Sequence, residues 1–100
     1  MEPHIKNWLA YFKVSPEEWF PCECGCERRA EQWHHLEPRS KFGSRRKEEC
    51  NRVENIAWIN HVCHERAHRD WKFNGEIEMN HRRNMLKYSN NTEDITRSAP

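Results

Sequence analysis

The sequence predicts an α+β fold, in which a two-stranded hairpin is followed by a histidine-bearing helix and flanked by N- and C-terminal helices. Three observations predict it. Apolar residues recur at helical spacing near the N-terminus, two short segments rich in β-branched and aromatic residues flank a long polar loop, and histidines recur at helical spacing after the second segment. Because 100 residues rarely support two cores, we expect one domain over residues 1–88.

The N-terminal part of the chain carries the first two helix signals. Apolar residues at positions i, i+3, i+4 and i+7 predict an amphipathic helix over residues 4–13. These residues are Ile5, Trp8, Leu9 and Phe12. The run Ser15-Pro16-Glu17-Glu18 is typical of a second helix start, with Ser15 as N-cap and Pro21 ending the turn.

Two strands and two helices are predicted further along the chain. Residues 30–36 and 53–59 read as the strands, with Trp33 and Trp58 expected to pack across the hairpin. A helix over residues 61–71 follows, Asn74-Gly75 breaks it, and an amphipathic helix covers residues 76–88. Residues 89–100 are polar and without pattern, which predicts a disordered tail.

Composition limits the class of protein. Five cysteines are an odd number, and neither a signal peptide nor a membrane-spanning apolar run is recognisable, so we expect a soluble, cytoplasmic protein whose cysteines bind metal. The formal net charge is only +1, yet residues 38–52 carry six Lys/Arg against two Glu. That segment is either a nucleic-acid contact or a solvated basic loop.

Four histidines form the strongest chemical signal. His64 and His68 are four residues apart on a predicted helix, so both imidazoles can face one ion. His34 and His35 end the first predicted strand and point to opposite sides of it. One of these two can complete a three-imidazole metal site with an open coordination position, while the other faces substrate.

The segments WHHLEPRSKFG and ENIAWINHVCHERAH resemble the HNH, or ββα-metal (His-Me finger), endonucleases of phage and bacterial type. The resemblance covers residues 22–73. It implies a metal-dependent endonuclease that hydrolyses DNA phosphodiester bonds, with one catalytic divalent ion (Zn, Ni, Mn or Mg) on His34, His64 and His68. It also implies His35 as general base and Asn55 as the residue that ties the loop between the strands.

The basic loop acquires a role beside such a site. Arg39 is the residue most suited to reach the scissile phosphate, and the loop as a whole can position a DNA backbone without reading its sequence. The predicted DNA-binding residues are Arg39, Lys41, Arg45, Arg46 and Lys47.

The cysteines depart from the family pattern of two Cys-x-x-Cys pairs around a structural zinc. The first knuckle is Cys-x-Cys-x-Cys, and Asn60 stands where a second pair would begin. The favoured zinc ligands are Cys22, Cys24, Cys26 and Cys63. A set of two knuckle cysteines with Cys63 and either Cys50 or His61 stays open, as do buried thiols without metal.

Two other functions remain open from the sequence. The chain could be a non-catalytic zinc-binding module that grips DNA or a protein partner, or a relative of the nucleases that has lost activity. A binding module has no use for His35 beside a ligand, which favours the nuclease. DNA is the expected partner, and a larger phage or host protein is a second candidate.

Overall fold

The computed structural model describes the backbone of residues 1–98 and the side chains of residues 1–88. The predicted α+β class, with a two-stranded antiparallel hairpin and several helices, is confirmed. Of the predicted disordered tail, residues 89–98 continue the last helix in the backbone, and residues 99 and 100 lie outside the described residues. The elements are α1 (Pro3–Phe12), β1 (Gln32–His35), α2 (Arg39–Phe42), α3 (Lys47–Cys50), β2 (Ile56–Ile59), α4 (His61–Arg69) and α5 (Trp71–Ser98).

The hairpin is shorter than predicted but has the expected cross-strand pair. Gln32 pairs with Ile59 and Trp33 with Trp58, whose rings stack with centroids 4.6 Å apart and planes 5° apart. The second strand begins late because residues 53–55 form a 3-10 turn. The last residue of this turn, Asn55, still extends the hairpin ladder, because its carbonyl accepts a hydrogen bond from the backbone N–H of Leu36.

Strand β2 is buried on both faces. Its side chains point alternately to the two faces, so they divide the core into two clusters. Ala57 and Ile59 pack into one cluster with residues of α4 and α5. Ile56 and Trp58 pack into a second cluster with α1. The strand therefore has α1 on one side of the hairpin and α4 with the first turns of α5 on the other, while Met85 and Tyr88 of α5 reach the second cluster.

Two helix predictions near residues 15 and 74 are wrong. Ser15 begins a turn rather than a helix, although the Glu18 carboxylate accepts from its backbone N–H as a capping box would. Phe20 is buried in the second cluster, and its carbonyl accepts a hydrogen bond from the N–H of Ala30. The chain therefore leaves the turn at Phe20 and does not continue as a helix. Asn74-Gly75 does not break a helix, because it lies inside α5.

The break comes instead at Asp70, between α4 and α5. Asp70 has an extended backbone, and its Oδ1 accepts hydrogen bonds from the N–H groups of Lys72 and Phe73, which caps the start of α5. Ile77 and His81 of α5 are fully buried, as an amphipathic helix in this segment requires. Among the described residues, no helix has the length and apolar character needed to cross a bilayer.

Candidate metal centres and active-site cleft

The structure brings His34 on β1 together with His64 and His68 on α4. One ring nitrogen from each lies within 4.8 Å of the others, and the Nε2 atoms of His64 and His68 are 3.2 Å apart. Ligands on a tetrahedral zinc with bonds of about 2.0–2.1 Å lie about 3.4 Å apart, so the three imidazoles fit one ion. The triad can hold a metal ion.

Two amide side chains orient these histidines, and sequence analysis missed both. Asn74 Oδ1 lies 2.6 Å from His34 Nε2, and Gln32 Oε1 lies 2.7 Å from His64 Nδ1. An amide oxygen only accepts, so each bond places a hydrogen on the named ring nitrogen and leaves the other nitrogen for metal. Gln32 could have been found by strand alternation, since it shares a face of β1 with His34.

The surroundings of the triad favour the neutral form of two of its rings, His34 and His64, and a metal ligand must be neutral. Burial, with smaller contributions from the neighbouring histidines, lowers the pKa of His34 from 6.5 to about 4 although the Asn74 bond opposes it. Burial and the adjacent His68 likewise lower the pKa of His64. At neutral pH these imidazoles therefore present lone pairs without first losing a proton.

His35 stands apart from the triad, as strand alternation predicts. Its Nε2 lies 3.3 Å from Asn51 Oδ1, and its ring lies against that of His4, with centroids 4.7 Å apart. Burial lowers the pKa of His35, so the ring is neutral at physiological pH. Because Asn51 Oδ1 accepts from Nε2, the atom of His35 that can take a proton is Nδ1.

A cleft of about 700 Å³ joins these groups. Its walls include the histidine triad, His35 and the side chain of Arg39, so a ligand in it reaches the metal site, a neutral base and a guanidinium together. Glu2 also lines the cleft, and its carboxylate lies 3.8 Å from the Arg39 guanidinium.

The basic loop is only partly at the cleft. Arg39 lines it, and Lys47 lines an adjoining cavity of about 390 Å³ that shares Arg39 with the cleft. The other three predicted DNA-binding residues, Lys41, Arg45 and Arg46, are exposed and do not line the cleft. Arg46 is engaged with Glu49 one turn along the chain.

Asn55 lies at the base of this loop and is buried. Its Oδ1 accepts from the backbone N–H of Glu37 at 2.8 Å. Its Nδ2 donates to the carbonyls of Glu37 and Cys50, at 3.1 and 2.9 Å. The amide thus joins the two ends of the segment that separates the strands, just beyond His35.

A second cluster collects four cysteines. The sulfur atoms of Cys22, Cys24, Cys26 and Cys63 all lie within 4.8 Å of one another, and this group can hold a metal ion. Thiolates at about 2.3 Å from a tetrahedral zinc would be about 3.8 Å apart, which this spacing accommodates. The backbone N–H of Asn60 also points at Cys22 Sγ, 3.1 Å away.

The alternative ligands do not join this cluster. Cys50 is buried elsewhere, and His61 Nδ1 lies 2.7 Å from the Glu31 carboxylate. Burial and close contact with other thiols raise the pKa of Cys24, and burial raises that of Cys63 to about 11. Cys24 and Cys63 therefore resist ionisation until a cation compensates their charge. At Cys26 burial is outweighed by hydrogen bonds with the Arg28 backbone and the other thiols, which lower its pKa.

No family model matches this chain, and no curated protein or solved structure matches it. The assignment of function therefore depends on the chemistry of the cleft itself.

Proposed function

We propose that the protein is a metal-dependent endonuclease of the HNH, or ββα-metal, type that hydrolyses DNA phosphodiester bonds. The observation that carries the proposal is the convergence of three imidazoles beside His35 in one cleft with Arg39. Phosphodiester hydrolysis needs a metal site, a base and a cation close together, and this cleft supplies all three.

Each residue has a defined task in this proposal. His34, His64 and His68 would hold a divalent ion, which as a Lewis acid stabilises charge on the phosphoryl and leaving oxygens. His35 would take a proton from the attacking water at Nδ1, because its Nε2 is engaged by Asn51. Arg39 would bind a phosphate oxygen, and Asn55 would hold the loop that carries it.

The four-cysteine cluster would hold a structural zinc. Soft thiolate ligands favour zinc, whereas imidazoles accept Zn, Ni and Mn, and the two centres therefore differ in selectivity. The thiolate centre joins the Cys22–Cys26 knuckle to α4 through Cys63, and α4 also carries His64 and His68. A zinc there would fix the helix that presents two catalytic-metal ligands.

The test is plasmid cleavage in a screen of Mg, Mn, Ni, Co and Zn. We expect wild-type protein to nick or cut plasmid, and His35→Ala to lose at least a hundredfold in rate while binding metal normally. His61→Ala is the matched control. His61 is an exposed histidine on α4, the helix that carries His64 and His68, but it lies outside the triad. The rate of His61→Ala should equal that of wild type.

The opposite result would favour the binding module. If wild type and His35→Ala both bind metal and DNA but neither cleaves in any metal, the endonuclease proposal is wrong. Equal cleavage by these two proteins would place the activity outside this cleft.

A further inference from the structure

We propose that helix α1 completes the active site, with His4 and Asn7 as positioning residues for His35. The inference rests on the proposed function and deepens it, because α1 lies outside residues 22–73, where the sequence resembles the nucleases. Two separate contacts, one through each residue, connect α1 to the base.

The first contact is made by ring packing. His4 is only 5% exposed, although it belongs to the first turn of α1. Its ring lies against the His35 ring, with centroids 4.7 Å apart and planes inclined at 51°. Because a flat neighbour restricts rotation of a half-buried imidazole, His4 limits the orientations open to His35.

The second contact is a chain of hydrogen bonds. Asn7 Nδ2 donates to the backbone carbonyl of Asn51 at 2.8 Å. Asn51 Oδ1 in turn lies 3.3 Å from His35 Nε2. Asn7 thus holds the residue that selects which nitrogen of His35 carries hydrogen, and so which nitrogen can accept a proton.

The two contacts come from one rigid face of α1. His4 and Asn7 are three residues apart, which places them one above the other on the helix. Trp8 is fully buried in the second core cluster and Phe12 is 2% exposed, so the helix is fixed against the hairpin. A base held from two sides reaches the water in one geometry, and general-base catalysis depends on that geometry.

Steady-state cleavage by the metal-loaded, full-length protein is the first test. We expect His4→Ala and Asn7→Ala each to lower kcat about tenfold with little change in KM, because the base is present but misaligned. His4→Phe keeps a flat ring and should recover most of the loss. Lys6→Ala, on the exposed side of α1, is the control and should match wild type.

Nitrogen NMR of the His35 ring is the second test, and it does not depend on cleavage. In the zinc-loaded wild type we expect two distinct ring nitrogen signals, with hydrogen on Nε2. His4→Ala and Asn7→Ala should average these signals, while Lys6→Ala should not.

Identical His35 signals in all four proteins, or unchanged kcat in the variants of an active enzyme, would overturn the inference. A wild type that never cleaves would refute the proposed function instead, and the ring signals would still decide whether α1 orients His35.

Discussion

Asn74 Oδ1 lies 2.6 Å from His34 Nε2, so an amide on the last helix orients a histidine on the first strand. The other end of the same amide donates to the carbonyl of Leu36 at 3.0 Å, which prevents the side chain from rotating. Helix α5 therefore contributes to the candidate metal centre without supplying a ligand.

Replacing Asn74 by Ala should weaken metal binding at the histidine centre by about ten- to a hundredfold, as loss of an orienting partner does. Titrating Ni²⁺ into protein that holds one equivalent of zinc, enough to fill the thiolate centre alone, measures this affinity. Lys72→Ala, an exposed neighbour on α5, should leave it unchanged. An Asn74→Ala protein with wild-type affinity would show that the amide plays no part in binding.

Removing one thiol from the cysteine cluster should cost one metal ion and much of the stability. We expect Cys63→Ser protein to contain one zinc fewer by native mass spectrometry, and to unfold at lower temperature, since zinc binding in such sites is coupled to folding. Cys50→Ala is the control, because Cys50 is buried outside the cluster. Equal zinc content in both variants would exclude the cluster as a zinc site.

The hairpin, the first helix and the grouping of the candidate metal ligands could be predicted because local rules decide them. Helical spacing of four residues brings His64 and His68 together whatever surrounds them, and strand alternation separates His34 from His35. A stacked pair such as Trp33 and Trp58 likewise follows from two aromatic strands pairing in register.

The missed features depend on contacts distant in sequence. Asn74-Gly75 has the composition of a turn, yet Asn74 finds partners on the hairpin, and Asp70 provides the cap that starts α5 before it. His4 has no local signal, because its neighbour His35 is far along the chain. Spacing alone could not choose between Cys50, His61 and Cys26 as zinc ligands.

Asn55→Ala should destabilise the protein by about 2 kcal/mol, because it removes three hydrogen bonds and leaves a buried backbone group unpaired. Urea unfolding at constant zinc concentration measures the change. Asn55→Asp keeps the acceptor for the Glu37 N–H but loses both donated bonds, so it should fall between wild type and Ala. A loss below about 0.5 kcal/mol would contradict the proposed anchoring of the loop.

Glu2→Gln should strengthen DNA binding about threefold at low salt. If the cleft binds DNA as proposed, the Glu2 carboxylate would compete with phosphate for Arg39 and repel the DNA backbone. Both side chains are about two-thirds exposed, so the effect is modest and should disappear at high salt. Fluorescence anisotropy of labelled DNA measures it, with Glu48→Gln, exposed on α3, as the control. Weaker binding by Glu2→Gln would contradict this account.

Stability should fall as pH rises above neutrality, because of a buried ion pair. His81 Nδ1 lies 2.7 Å from the Glu23 carboxylate, and its Nε2 donates to the Val53 carbonyl. Although burial disfavours the charged ring, the hydrogen bond and charge of Glu23 raise the pKa of His81 above 6.5. The stabilisation is therefore complete below pH 6.5 and is lost as pH rises through the folded-state pKa.

Thermal unfolding of zinc-loaded protein between pH 6 and pH 9 measures this dependence. His81→Gln, which cannot titrate, should be less stable at pH 6 and show a flatter profile than wild type. Parallel profiles for the two proteins would exclude His81 as the titrating group.

The parallel indoles of Trp33 and Trp58 have a practical consequence for work in solution. Rings stacked at 4.6 Å couple their electronic transitions, so the pair should produce a paired positive and negative band in circular dichroism that exists only while the hairpin is formed. Trp33 also lines the cleft, next to His34. Its emission should therefore be quenched when Cu²⁺ or Ni²⁺ occupies the histidine centre, which provides an optical signal from the native chain without an attached dye.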